Sequence, residues 1–237
     1  MADPSFRSAS TNTDLTGSAT SLSVANPSGL TDGDGQYYWA TGFTVTPGGS
    51  PVLTAPSGWT QEGSSVTFSF GIVDATAALY RRIASGDGAA SFTSDRGAYL
   101  VGARLAYQFP HPTAWGSGIT LTSGGTASGT SHTAGGITTT QNRQLATTLW
   151  LGTAASNWGG PGGAVNERVD IGGSIAFAVY DELVTAAGAT GSRAYTSTAT
   201  IEGHWVIAAF NGLPRSQPFG PRGVAFNGGK TLRGIIR

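Results

Sequence analysis

Apolar and polar side chains alternate along this chain in short runs that turn residues separate. Tyr37 to Val45, Thr76 to Ile83 and Tyr99 to Phe109 are the clearest early runs, and Leu105, Tyr107 and Phe109 share one face of the last. Asn26-Pro27-Ser28-Gly29, Asp32-Gly33-Asp34-Gly35 and Pro47-Gly48-Gly49 read as turns between them. Leu22 to Val24, Val52 to Thr54 and Ser91 to Thr93 fit shorter strands, whereas Pro110 to Gly136 reads as a turn-rich stretch. A second series follows at Gln144–Gly152, Val165–Ile171, Ser174–Leu183, Arg193–Ile201 and Trp205–Phe210. Many short strands at this spacing predict an all-β fold, an antiparallel and jelly-roll-like β-sandwich over residues 22–210. Residues 1–21, polar and rich in Ser and Thr, read as an N-terminal arm or an edge strand.

The two series echo one another. Ala78-Leu79-Tyr80-Arg81-Arg82 returns as Ala178-Val179-Tyr180-Asp181-Glu182. Phe92 and Tyr107, 15 positions apart, return as Tyr195 and Phe210, again 15 apart. An internal duplication, with pseudo-repeated halves at 22–109 and 137–210, would give this pattern. Arg81 and Arg82 would then sit at places equivalent to Asp181 and Glu182 with opposite charge. They are candidates for an inter-half or inter-subunit contact.

Composition narrows the chemistry. Four Glu, one Lys and one Met against 37 Gly and 11 Pro disfavour long helices. The absence of Cys excludes disulfides and cysteine metal sites. No apolar run approaches the roughly 20 residues of a membrane-spanning helix, and the first residues carry no hydrophobic signal region. His111, His132 and His204 are separated by 21 and 72 residues, which is not metal-ligand spacing. Asp32-Gly33-Asp34 has two carboxylates but no downstream Glu at calcium-loop spacing. Gly116-Ser117-Gly118 lacks the nucleophile-elbow frame, and no phosphate-loop Lys follows the glycines at 159–163. These readings point to a protein that is not an enzyme and needs no cofactor. Trp115 and Trp158, set among Gly and Ser, are candidate loop aromatics for stacking on a glycan or anchoring a protein.

Charge is segregated along the chain. Residues 1–210 hold 8 of the 13 basic residues and all 13 acidic ones, whereas 211–237 hold five basic residues and no acidic one. That basic segment reads as an extended C-terminal arm with apolar pegs between cations. Its candidate contacts are Arg215, Phe219, Arg222, Phe226, Lys230, Leu232, Arg233, Ile235, Ile236 and Arg237. Whether it docks on its own body or on a neighbour is open from sequence. The acidic body and the spread of the basic residues over 23 positions disfavour nucleic acid as a partner.

Pro56-Ser57-Gly58-Trp59, then Ala78 to Arg82, Ser91-Phe92-Thr93 and the small-residue strand ending Arg104-Leu105-Ala106-Tyr107, resemble a pattern in virion structural proteins of tailed bacteriophages. The resemblance spans about residues 22–210 and implies a non-enzymatic protein of the virion, made in the bacterial cytoplasm. A head decoration (cement) protein is the first expectation, binding major capsid or tail proteins and copies of itself. A tail- or fibre-associated glycan- or receptor-binding module is the second. The basic arm lies outside the pattern.

Overall fold

The computed structural model describes residues 3–45, 49–86, 88–108 and 115–212, without the side chains of 115–118, 211 and 212. Among these residues the chain is all-β. The first sheet is built from β1 (Ser5–Val24), β2 (Gly35–Val45), β3 (Leu53–Thr54), β4 (Thr60–Gln61), β5 (Val66–Phe70), β6 (Val73–Ile83) and β7 (Ala90–Gln108). The second is built from β8 (Trp115–Ala134), β10 (Gln144–Gly152), β11 (Trp158–Gly159), β12 (Val165–Gly172), β13 (Ala176–Val184) and β15 (Arg193–Gly212). β9 (Thr138–Thr139) and β14 (Gly188–Ala189) form a small ribbon. Every pairing is antiparallel.

Both sheets use one strand order. The first runs β1-β7-β2-β6, with β5 and β4 on β6 and β3 on β7. The second runs β8-β15-β10-β13-β12, with β11 on β15. The rungs correspond as well. Trp39 lies between Leu79 and Ala103, as Leu149 lies between Val179 and Val206. Tyr80 and Tyr180 occupy one such position, and Tyr107 and Phe210 another.

Burial explains why the central strands read as unbroken apolar runs. One face of each sheet meets the other sheet in a shared core of Tyr37, Trp39, Leu79, Leu105, Leu149, Phe177, Val179 and Val206. The opposite faces are covered too. In the first sheet Tyr38 packs edge-on against Trp59, Tyr80 and Phe92. In the second, Trp150 packs against Trp158 and Tyr195. A strand buried on both faces needs no polar alternation, and all of β10 is buried.

The long edge pairs, β1 with β7 and β8 with β15, make this double coverage. Pairing of β1 with β7 shifts between Asp14 and Ala19, and pairing of β8 with β15 shifts around Ile201. Irregularities of this kind bend a strand. At the first bend Asp14 accepts hydrogen bonds from the Thr16 amide (3.0 Å) and hydroxyl (2.7 Å). Gly17 there takes a positive φ of 78° and lies against the Tyr99 ring, which leaves no room for a side chain. Beyond the bend, residues 19–24 and 90–98 cross the outer face.

Several expectations are corrected here. Pro110 to Gly136 is not a turn region from residue 115 on, because Trp115–Ala134 is a 20-residue strand. The N-terminal residues and Leu22–Val24 form one edge strand. Ser91–Thr93 and Tyr99–Gln108 belong to one strand, as do Arg193–Ile201 and Trp205–Phe210, and Phe109 lies outside the described residues. β5 had no counterpart in the sequence reading.

Candidate functional site

The two sheets meet along two seams, and their chemistry differs. At the first, Tyr107 of β7 donates its hydroxyl to Asp181 Oδ2 of β13 at 2.6 Å. Asp181 also accepts from Arg168 Nε at 2.7 Å and Asn166 Nδ2 at 3.3 Å. The Arg168 guanidinium lies 4.1 Å from the centroid of the Phe6 ring, and Phe6 packs edge-on against Tyr107. Burial, and then the Asp181 charge, hold the Tyr107 phenol well above its usual pKa. Nearby, Trp39 Nε1 donates to Thr147 Oγ1 at 3.2 Å across the sheets.

At the second seam Tyr37 stacks on Phe210 with centroids 3.7 Å apart, and His204 lies on Phe68 and Phe70. Glu62 meets Arg81 at 2.5 Å. Burial raises the Glu62 pKa, and Arg81 opposes that rise. Between β5 and β8 runs a groove of about 520 Å³ lined by Gly63 to Thr67 and by Ile119 and Leu121 to Ser123. Gly63 takes a φ of 67°, and a Cβ there would collide with the Leu121 side chain.

Arg81 and Asp181 stand at corresponding rungs, opposite Tyr37 and Thr147. Their strands lie in different sheets and do not pair with each other. Each charge is met close by: Arg81 by Glu62, Asp181 by Arg168. Arg82 donates to the Ser85 carbonyl at 3.4 Å, and Glu182 meets Arg193 at 2.9 Å. Within the chain, pairs inside each sheet take the place of the anticipated contact between the halves, because the β-register puts a partner within reach there.

Trp158 is not an exposed platform. It is 3% exposed, in β11, 4.8 Å from Trp150 and 5.0 Å from His132 between ring centroids. Its flanking glycines permit close packing: Gly159 lies against Thr196 and Gly160 against the Tyr180 ring. Trp115 begins β8 opposite Gly212 rather than sitting in a loop, and its side chain lies outside the described residues. His111 and the whole set from Arg215 to Arg237 also lie outside them.

Sequence reasoning passed over two buried polar centres. His132 Nδ1 lies 2.7 Å from Thr126 Oγ1 and Nε2 lies 2.8 Å from Ser197 Oγ. A Ser beside a His invites a nucleophile reading. Yet both hydroxyls also donate to backbone carbonyls, Ser197 to Ala199 at 2.7 Å and Thr126 to Gly203 at 3.2 Å, so each is tied into the strands. Burial pushes the His132 pKa down and favours the neutral imidazole. Arg104, fully buried, donates to the carbonyls of Val24 (3.1 Å) and Gly88 (3.0 Å) and to Gln36 Oε1 (2.5 Å). Its guanidinium lies 5.3 Å from the Trp59 ring. The Asp32-Gly33-Asp34 turn is likewise occupied: Asp34 accepts from Thr31 and meets Arg7, and Asp32 accepts from Gly86. Among the described residues no three His, Asp or Glu side chains gather as a metal site. No family model, no curated protein and no solved structure matches the chain.

Proposed function

We propose that this chain is a non-enzymatic structural protein that binds neighbouring subunits of a larger particle, in the capsid-decoration role implied by its resemblance to phage virion proteins. The observation that carries the reading is how the polar groups are spent. Asp34, Glu62, Asp181, Glu182 and His132 each have partners within the body. The Ser-, Thr- and Gly-rich strands β5 and β8 meanwhile have one edge each without a paired strand among the described residues. Main-chain edges of this kind dock other proteins by strand addition. The matching strand orders support an internal duplication, which would give the body two similar flanks for two contacts. The opposite charges of body and C-terminal segment support attraction between copies or toward another acidic subunit.

The test is co-sedimentation of full-length protein with tailed-phage heads that lack their decoration, alongside its mass in solution. The expected result is a folded protein that pellets only with heads and saturates at a fixed ratio to the capsid subunit. A closed oligomer that ignores heads would overturn the decoration reading.

A further inference from the structure

The two seams carry corresponding strands, yet only one is guarded. Its edges are β1 and β12, which carry Arg7 and Asp14 on one side and Glu167, Arg168 and Asp170 on the other. β12 is also bulged between Glu167 and Val169. Charges and bulges are the usual devices that keep a strand edge from pairing. Phe6, opposite Tyr107, closes this seam over Arg168. The second seam lacks the charges, although β8 pairs irregularly with β15 between Trp115 and Ile119 and between Thr126 and Ser131. β5 (Val66–Phe70) carries no charge, and no Asp, Glu, Lys or Arg occurs anywhere in β8. Ile119, opposite Phe210 at the rung matching Phe6, leaves an open groove instead of a lid.

We infer that this groove is the docking site of the chain's own closing segment, Thr231–Ile236, which adds as a strand to the free edges of β5 and β8. Three observations select this occupant. The described chain ends at Gly212, paired with Trp115 at the start of β8, so the exit lies at the same edge as the groove. Eighteen residues separate Gly212 from Thr231, a reach of up to about 60 Å. The groove begins within a few residues of Trp115, about 30 Å of strand at most. Leu232 and Ile236, which share one face of a strand, match a groove floored by Val66, Ile119 and Leu121, and β5 and β8 carry no Lys or Arg side chain to repel the segment's single cation, Arg233. Tethering gives the segment a millimolar effective concentration, which favours its own groove over a neighbour's in dilute solution. The inference stands without the decoration reading; where both hold, the segment covers the edges of β5 and β8 until a neighbouring subunit displaces it.

The chain has no Cys, so engineered pairs report cleanly. Thr122→Cys or Thr67→Cys is combined with Gly234→Cys in the full-length protein and oxidised mildly. Ser10→Cys, at the guarded edge, combined with Gly234→Cys is the control. The expected result is an intramolecular disulfide with the groove pairs, independent of protein concentration, and little with the control. Disulfide-linked dimers would assign the groove to a second copy and overturn the inference, as would cross-linking no better than the control. A second measurement avoids new cysteines: amide exchange in β5 and at Ile119–Ser123 is expected to quicken about tenfold or more in the Ile235→Asp, Ile236→Asp double variant. Unchanged exchange would overturn it too.

Discussion

Tyr107 and Asp181 join the two sheets through a 2.6 Å hydrogen bond, at a rung where the second sheet's counterpart of Tyr107 is Phe210. Asp181 is 3% exposed and keeps Arg168 when the phenol is removed. Tyr107→Phe is therefore expected to cost about 1–3 kcal/mol. Urea unfolding should show a lower midpoint with an unchanged slope, since packing of the ring is retained.

His132 makes stability depend on acid. Its folded pKa lies below the ordinary value of about 6.5, so the unfolded chain binds the proton more readily. Its contribution is complete above about pH 6.5 and is lost as pH falls from there toward the folded pKa, at up to about 1.4 kcal/mol per pH unit. Leu22 occupies the corresponding rung of the first sheet, opposite Phe92 as His132 is opposite Tyr195. His132→Leu should flatten the stability profile between pH 7 and 5.5, measured by thermal melts across that range.

Gly63 and Leu121 should be coupled across the open seam. Gly63→Ala meets two obstacles, a positive φ and the Leu121 side chain, and is expected to destabilise by about 2–3 kcal/mol. In a Leu121→Ala background only the backbone strain remains, about 1 kcal/mol. A double-mutant cycle checks this, and strict additivity would contradict the contact.

Arg104 is matched at its rung by Ile207, yet the two are not interchangeable. Arg104→Met strands the Val24 and Gly88 carbonyls and Gln36, at a cost of about 3 kcal/mol. Arg104→Lys keeps the charge but not the planar fork that reaches three acceptors, and should recover only part of that loss. Denaturant midpoints of the two variants give the comparison.

Trp158→Ala is expected to destabilise by about 3–5 kcal/mol, because it opens a cavity between Trp150 and His132. Calorimetry of the purified variant checks this.

How much of this was legible depends on what each residue reports. β2, β6, β10 and β13 were readable because Tyr, Trp, Val and Leu mark strands whichever face they point to. The rung equivalence of Tyr80 with Tyr180 was visible for the same reason. β8 was not, since its glycines and serines read as turns. It is held by pairing with β15, with Ile119 and Leu121 as its inward anchors. The bends in β7 and β15 swap which face is buried, so one strand looked like two. Trp158 was misplaced because glycine marks close packing as readily as exposure. The Glu62–Arg81 and Arg168–Asp181 pairs join residues 13 to 19 positions apart, so only the β-register could reveal them.

The pairing of β1 with β7, and separately of β8 with β15, has a consequence for synthesis. The first sheet has all its strands once the ribosome has passed Gln108, but the face bearing Tyr37, Trp39, Leu79 and Leu105 has no cover until the second sheet arrives. At about 5–20 residues per second, the next hundred residues take roughly 5–20 s. For that interval the nascent chain presents a half-built core to its surroundings, and chaperone supply or translation speed through residues 109–212 would set how much of it survives to fold.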